Sequence, residues 1–408
     1  LNPRELKISD FTYELPEERI AKYPLPDRDK SKMLVSNKGR ISDHFFYELP
    51  LLLPKDTLLV FNNSKVLPAR IRFRTEKGKD IEVFCLEPVL GIDQGRAMAM
   101  QGKSAWICLI GGNRKWKSGQ AVLQLSREGS DKLELKIRRV KTFNEGFHVE
   151  FEWAPSDLSF ADVLERAGSI PLPPYLNREA EEADRIRYQT IYALEEGSVA
   201  APTAGLHFSG TVMEGLIEEG IDIADITLHV GAGTFKPVIS EELAGHAMHH
   251  EWMEIPMDVL KKLLYHQGKP VIAVGTTSMR SLESIYWMGV KIMKRKGRLN
   301  MEELAPGQWE PYIEESVDIP REEVLKAVID FMEKRGQKTL RCKTQILIAP
   351  PYQVKMINGL ITNFHQPGST LLLLVSTLPG SSWQAVYDYA LNNNYRFLSY
   401  GDSSLFLF

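Results

Sequence analysis

Residues 200 to 235 read AAPTAGLHFSGTVMEGLIEEGIDIADITLHVGAGTF, and the order of residue types in this stretch decides the fold. Pro202-Thr203-Ala204-Gly205 has too little side chain to build a core, and its Gly and Pro suit a turn that something approaches closely. Ser209 then stands as the N-cap of a helix that stops at Gly220. Ile221 to Val230 is apolar and β-branched, as a strand requires, and runs into a second small-residue loop, Gly231-Ala232-Gly233-Thr234. Loop, helix, strand and loop in this order put His207 and His229 at element ends, where α/β proteins bind ligands.

The same alternation extends on both sides. Pro270 to Gly275 reads as a buried strand followed by a helix over Thr276 to Trp287, and Gly359 to Phe364 as a strand followed by a helix over Thr370 to Thr377. Ser159 and Asp162 are spaced as a capping box, with Gly168 as the helix stop. Upstream, ELPEERIAKY predicts a short helix halted by Pro24 and Pro26, and Thr57 to Phe61 a buried strand feeding the turn Asn62-Asn63-Ser64. From Arg70 the texture changes. RIRFRT, DIEVFCLEPV, SAWICLIG, AVLQLS, KLELKIRRV and HVEFEW are short alternating strands parted by Gly, Asn, Ser and Asp, which predicts a small closed β-barrel. The expected fold is mixed α/β: a discontinuous domain, residues 1–68 and 154–408, interrupted by a barrel domain at 69–153.

Composition bounds the rest. A chain of 408 residues with 43% apolar residues can bury a substantial core. It has no run of about 18 apolar residues, so no membrane partner is expected, and Leu1 to Asp10 is too polar and charged for a secretory leader. The first residue is not Met, as a processed or trimmed start would leave it. Three scattered cysteines, Cys85, Cys108 and Cys342, point to a reducing cytoplasm without a disulfide framework or thiolate metal cluster. The net charge of −3 is divided unevenly: residues 69–153 carry 16 Lys+Arg against 11 Asp+Glu, and the remainder 34 against 42. Arg114, Lys115 and Lys117 surround Trp116 in one barrel connection, and Arg138 and Arg139 lie in another basic run. Such a patch can pair phosphates and stack a base, and it can equally be a solvated barrel face with Trp116 as a hydrophobic plug.

Several residues could carry chemistry. Thr276-Thr277-Ser278 ends a strand and opens a helix, so free N–H groups and the positive helix end suit a carboxylate or phosphate. Arg280, in the first turn, opposes the helix dipole, which an anion held by its guanidinium explains, as would pairing with Glu283. His246, His249, His250 and Glu251 cluster in GHAMHHEW; helical spacing of three or four could hold Zn²⁺, but no HExxH order or nearby Cys supports it, and a base or hydrogen-bond network is the expectation. His365, in NFHQPGST, precedes another helix start.

Two segments above, APTAGLHF and LHVGAGTFKPV, closely resemble signatures of the S-adenosylmethionine:tRNA ribosyltransferase-isomerases of queuosine synthesis. Further resemblances follow in order: DFTYELPEERIAKYPLPDR (10–28), LLVFNNSKVLPAR (58–70), LPPYLNREAEEADRIRYQTIY (172–192), AVGTTSMRSLES (273–284), GLITNFHQPGSTLLLLVS (359–376) and YRFLSYGD (395–402). The resemblance implies that S-adenosylmethionine, consumed as a substrate with no prosthetic group, donates its ribosyl carbons to 7-aminomethyl-7-deazaguanine in tRNA. Epoxyqueuosine-tRNA forms, and adenine and methionine leave. A sulfonium acidifies its 5′-carbon protons and adenine must be protonated as it leaves, so imidazoles are suited to both tasks. His207, His229, His249 and His365, with Glu251, are the expected catalytic set, their roles undivided. Thr203, Gly205, Gly231, Gly233, Thr276, Thr277, Ser278 and Arg280 are the expected S-adenosylmethionine contacts, and the barrel cations with Trp116 those for tRNA.

The chain departs from the family pattern between 289 and 343, which the family spans with a shorter connection, and at Pro350-Pro351-Tyr352. The extra segment contains KIMKRKGR and a helix over Pro320 to Arg335, with Val324, Val328 and Met332 on one face and Gly336 as its stop. That helix needs a surface to pack on, and the segment bears on which RNA is bound. A monomer is expected. Two competing functions are an S-adenosylmethionine-dependent RNA methyltransferase and a catalytically silent RNA-binding relative. Gly231-x-Gly233 follows His229 and offers no GxGxxG for the first, and the intact His and GTTS motifs oppose the second.

Overall fold

The computed structural model describes residues 2–89, 94–125, 132–143, 146–231, 238, 240–313, 318–380 and 382–408. The chain forms two compact units, one of Leu1–Ser64, Thr190–Leu194 and Pro202–Phe408, the other of Lys65–Gln189 and Glu195–Ala201. The strands in chain order are β1 (Lys32–Asn37), β2 (Arg40–Phe45), β3 (Leu58–Asn62), β4 (Ser64–Val66), β5 (Arg70–Thr75), β6 (Asp80–Pro88), β7 (Lys103–Gly111), β8 (Gln120–Leu125), β9 (Leu133–Phe143), β10 (Gly146–Ala154), β11 (Glu195–Ser198), β12 (Asp222–His229), β13 (Glu251–Pro256), β14 (Val271–Val274), β15 (Thr339–Thr344), β16 (Gly359–Asn363) and β17 (Ser403–Leu407). The longer helices are α1 (Phe160–Ala167), α2 (Gly210–Glu218), α3 (Met257–Tyr265), α4 (Thr276–Lys294), α5 (Arg321–Glu333) and α6 (Trp383–Asn392).

Among the described residues the first unit is built on a nine-stranded sheet in the order β15-β13-β12-β3-β14-β16-β17-β1-β2. Its centre is β3, whose Leu-Leu-Val-Phe-Asn is buried throughout, as a strand covered on both faces must be. β12 and β14 flank β3 in parallel and β16 is parallel to β14, so Asn62, His229, Val274 and Asn363 finish at one edge of the sheet. On one face Leu59, Phe61, Ile272, Val274 and Ile361 pack with Phe208, Val212 and Leu216 around α2. Phe208 stands edge-on to both Phe46 and Phe61, with centroids 4.9 Å apart in each pair. Ser209 caps α2 by accepting from the Val212 N–H, and Gly220 ends it at φ +69°, both as its sequence requires.

The opposite face is covered by α4, which is buried on nearly every side from Thr276 to Ile292. Its hydroxyls turn back on the helix: Ser278 Oγ donates to the Val274 carbonyl at 2.8 Å and Ser281 Oγ to that of Thr277 at 3.0 Å. α5 buries Val324, Leu325, Val328, Ile329, Phe331 and Met332. A Cβ on Gly289 of α4 would lie 2.3 Å from Val324 Cγ1, so this glycine is what lets α5 approach α4. Within the 289–343 segment α5 is therefore part of the core, and the segment also supplies most of β15, an edge strand paired antiparallel with β13.

In the second unit β5 to β10 close into an antiparallel barrel in the order β10-β7-β6-β5-β8-β9, all six strands lying where the alternation put them. The unit extends beyond residue 153, because Phe160 of α1 stacks on Trp106 (5.2 Å) and packs edge-on to Phe151 (5.2 Å). The Ser159–Asp162 capping box forms as expected.

ELPEERIAKY does not make the expected helix: it holds one 3-10 turn, Glu17–Arg19, with no buried residue. The backbone there pairs sideways instead, Phe397 N–H donating to the Arg19 carbonyl and Ala21 N–H to that of Phe397. No helix among the described residues is long and apolar enough to cross a membrane.

Candidate active site at the strand ends

The polar groups gather at the carboxyl edge of the parallel strands, the place where open α/β sheets receive ligands. Gly275, at φ +89°, turns the chain from β14 into α4; a Cβ there would lie 3.4 Å from Thr277 Oγ1 and 3.7 Å from the Ala204 Cβ. The loop carrying Thr203-Ala204-Gly205 thus touches the first turn of α4. No side chain caps that helix, and Thr277 Oγ1 is buried without a hydrogen-bond partner among the described residues. Thr276 and Ser278 are buried in the same turn. Arg280 is only 9% exposed and donates from Nη2 to Glu251 Oε2 at 2.5 Å, and its Nε has no hydrogen-bond partner among the described residues. Glu251 Oε1 accepts from the Gly231 N–H at 3.2 Å, so one carboxylate ties the end of β12 to α4. Gly233 lies outside the described residues.

The alternative Arg280–Glu283 pairing is not formed. Glu283 faces the other way and takes the Tyr352 hydroxyl at 2.6 Å and the Met356 N–H at 2.9 Å. Its complete burial pushes the carboxyl up to about 7 against those hydrogen bonds. Arg280 also lies beyond the first turn of α4, since the helix begins at Thr276.

The imidazoles are in four different settings. His207 is buried with both nitrogens used: the Asn363 amide donates to Nε2 at 3.0 Å, leaving Nδ1–H for Ser31 Oγ at 2.8 Å. Burial, with Arg396 and Arg28 adding to it, holds its pKa down at about 3. His365 bonds Thr362 Oγ1 through Nε2 at 2.8 Å, and burial lowers it to about 3 as well. It precedes the helix that starts at Thr370, whose N-cap is Ser369. These two rings are neutral hydrogen-bonding parts of the fold, a poor match to proton transfer near pH 7. His249 is exposed in a stretch without helix, so the helical spacing that could have held a metal through His246, His249 and Glu251 is not realised. That stretch is held by Gln308 from the 289–343 segment, which donates to the His246 carbonyl at 2.7 Å and accepts from the Met248 N–H at 3.0 Å. His229 ends β12 with Nδ1 buried and unpartnered among the described residues, and burial lowers its pKa while Glu254 opposes the shift.

Strand alternation separates two of these groups. His229 opposes Trp252 and Leu228 opposes Met253, so His229 points to the face carrying α2, while Glu251 and Arg280 lie on the α4 side. The small-residue loop is occupied by the protein itself: a Cβ on Gly205 would lie 1.9 Å from the Tyr192 hydroxyl, so this glycine makes room for Tyr192. In the barrel unit Trp116 is 2% exposed, which makes it a plug and corrects its expected role as a stacking platform. Arg138 is held by Glu150 at 2.6 Å and Arg139 lies over the Phe147 ring at 3.9 Å, whereas Arg114, Lys115 and Lys117 are exposed. The Glu251–Arg280 link was missed in the sequence, although the alternation of EWMEIP would have put Glu251 with the buried Met253 and Ile255.

A mixed sheet with a parallel centre and partly unsatisfied polar groups at its strand ends, together with a small antiparallel barrel, defines an α/β protein with a candidate ligand site at that edge. The chain belongs to the family described as queuosine biosynthesis protein, whose model matches residues 8–406. It is similar to a protein of Halothermothrix orenii (strain H 168) named S-adenosylmethionine:tRNA ribosyltransferase-isomerase, with 38% identity covering 98% of this chain and 100% of the relative. It is also similar to a crystal structure of an S-adenosylmethionine tRNA ribosyltransferase from Thermotoga maritima, 27% identical over 98% of this chain and 100% of that one, at a TM-score of 0.46.

Proposed function

We propose that this chain is an S-adenosylmethionine:tRNA ribosyltransferase-isomerase, carried above all by its full-length likeness to a relative of that name. It moves and isomerises the ribosyl group of S-adenosylmethionine onto 7-aminomethyl-7-deazaguanine in tRNA. Epoxyqueuosine-tRNA is formed, and adenine and methionine are released. The methyltransferase and silent-binder readings are not favoured by the same likeness.

For the donor, we propose that its carboxylate meets the uncapped first turn of α4 and Arg280, supported by Thr277 Oγ1 and Arg280 Nε, which have no partner among the described residues. For proton transfer, His229 is the best candidate, because its Nδ1 is unpartnered among the described residues and its ring stays in the basic form near neutrality. For tRNA phosphates, the exposed Arg114, Lys115 and Lys117 of the barrel unit are proposed. The test is one incubation with ribose-labelled S-adenosylmethionine and tRNA bearing the 7-aminomethyl base. Label in the RNA with equal free adenine and methionine is expected; S-adenosylhomocysteine, or no product at all, overturns the assignment.

A further inference from the structure

Two residues outside the proposed donor site stand beside His229. In the paired strands β12, β13 and β15, His229 is directly opposite Trp252, and Trp252 directly opposite Lys343. Directly opposed residues of antiparallel strands share a face at about 5 Å, so the three side chains form one row across the sheet. The neighbours on the other face, Leu228, Met253 and Cys342, are all buried. Trp252 is different: its indole is 43% exposed, although an apolar ring of this size is normally covered. Lys343 Nζ lies 4.9 Å from the ring centroid, and Lys343 has no carboxylate partner among the described residues. In the next row of the same face, Arg341 pairs with Glu254 at 2.8 Å, so that carboxylate is directed to Arg341. An exposed aromatic with a cation beside it is the combination that holds a nucleotide outside a duplex, the base on the ring and the phosphate on the ammonium.

We propose that Trp252 and Lys343 form a subsite for one unpaired nucleotide of the RNA substrate, stacking its base next to His229. The inference rests on the RNA-acting function proposed above and adds the residues that position the nucleotide at the reacting edge. It also gives the 289–343 segment a part in substrate binding, since Lys343 is its last residue and lies in the strand it adds to the sheet. Trp252 and Lys343 are positioning residues here, without a part in bond making.

The test is binding of an anticodon stem-loop RNA carrying the 7-aminomethyl base, measured without S-adenosylmethionine, for the full chain and for Trp252→Ala, Trp252→Phe and Lys343→Ala. Trp252→Ala should weaken binding by about tenfold or more and Trp252→Phe by much less, because a phenyl ring still stacks. Lys343→Ala should weaken it and reduce the salt slope by about one. In turnover, Trp252→Ala should raise KM for the RNA and leave KM for S-adenosylmethionine unchanged. An unchanged RNA affinity in Trp252→Ala overturns the subsite, as does equal loss in the Ala and Phe variants. A raised KM for S-adenosylmethionine alone also overturns it, because the ring would then serve the donor adenine. Wild-type chain that binds the stem-loop but releases no adenine refutes the reaction and leaves the subsite standing, so the two failures are distinguishable.

Discussion

Arg280 Nη2 and Glu251 Oε2 are 2.5 Å apart in a setting where both side chains are at most 11% exposed, joining α4 to the start of β13. Such a pair is costly to break from one side, since the remaining charge is left buried and unpaired, a loss of roughly 3 to 5 kcal/mol. Glu251→Ala is therefore expected to lower the urea midpoint strongly. Glu251→Gln should recover only part of the loss, since its one amide oxygen can accept from Arg280 or from the Gly231 N–H but leaves the guanidinium charge unpaired. Arg280→Lys keeps the charge without the fork; it should keep the fold better than Arg280→Ala and still raise KM for S-adenosylmethionine, because a donor carboxylate would lose its planar partner. A Lys variant with unaltered KM would remove Arg280 from the donor site.

His229 carries a pH prediction. Burial depresses its pKa below the usual 6.5, so the ring is a neutral base at pH 7 and is lost as a base only on the acid side. The kcat profile should be flat near neutrality and fall below an inflection under 6.5. Glu254 works in the opposite direction to burial, so Glu254→Gln should move that inflection to still lower pH. His229→Gln should lower kcat by about 10² to 10⁴ with little change in stability. An acid limb that ignores both substitutions would transfer the titration to another group.

His207 and His365 should show in stability rather than turnover. Both fold with a pKa of about 3 against 6.5 for the free side chain, so the unfolded chain binds more protons across that interval. Stability is then fully present above pH 6.5 and is lost as pH falls toward 3. Between about pH 4 and 6 each ring contributes a slope of about 1.4 kcal/mol per pH unit. Urea titrations over this range, repeated with His365→Asn, should show the slope reduced by about one proton. A slope unchanged by that substitution would mean the ring is not the proton-linked group.

These residues show what was legible beforehand. The barrel strands and the α2–β12 unit follow from local periodicity and caps, and each formed where periodicity and capping residues put it. β1 and β17 were not anticipated, since Lys32–Asn37 and Ser403–Leu407 are each too short to declare themselves and become strands by pairing in parallel across the whole length of the chain. The site was legible as positions and not as partners. GTTSMR announces a helix start with an arginine, but the carboxylate that meets Arg280 comes from a distant strand, and local alternation marks Glu251 as buried without naming its partner. Likewise Trp116 has basic neighbours in sequence, while its burial depends on how the barrel closes.

The 289–343 segment can be tested through Gly289. An added Cβ would meet Val324 Cγ1 at 2.3 Å and the Val324 carbonyl oxygen at 2.6 Å, and the second is backbone that cannot turn aside. Gly289→Ala should therefore destabilise by about 1 to 3 kcal/mol from overpacking, despite the better helix propensity of Ala. Val324→Ala in the same chain should restore only part of the loss. A neutral or stabilising Gly289→Ala, measured by urea unfolding, would show that α5 can move away from α4 freely.

The barrel cations give the last prediction. Arg114 and Lys115 lie in a 3-10 turn, Asn113–Lys115, and Lys117 follows, all three exposed. Arg138 has most of its charge directed to Glu150, which takes both Nε (3.2 Å) and Nη2 (2.6 Å). A phosphate would have to compete with that carboxylate, whereas no carboxylate among the described residues pairs with the three loop cations. If the loop is an RNA contact, neutralising Arg114, Lys115 and Lys117 together should lower the slope of log K against log salt by about two to three, while Arg138→Gln should lower it by less than one. Activity at low salt should fall through KM for tRNA, with KM for S-adenosylmethionine unaffected. Equal slopes for the wild type and the triple variant would mean that this loop is only a solvated end of the barrel, and that the tRNA phosphates are held elsewhere.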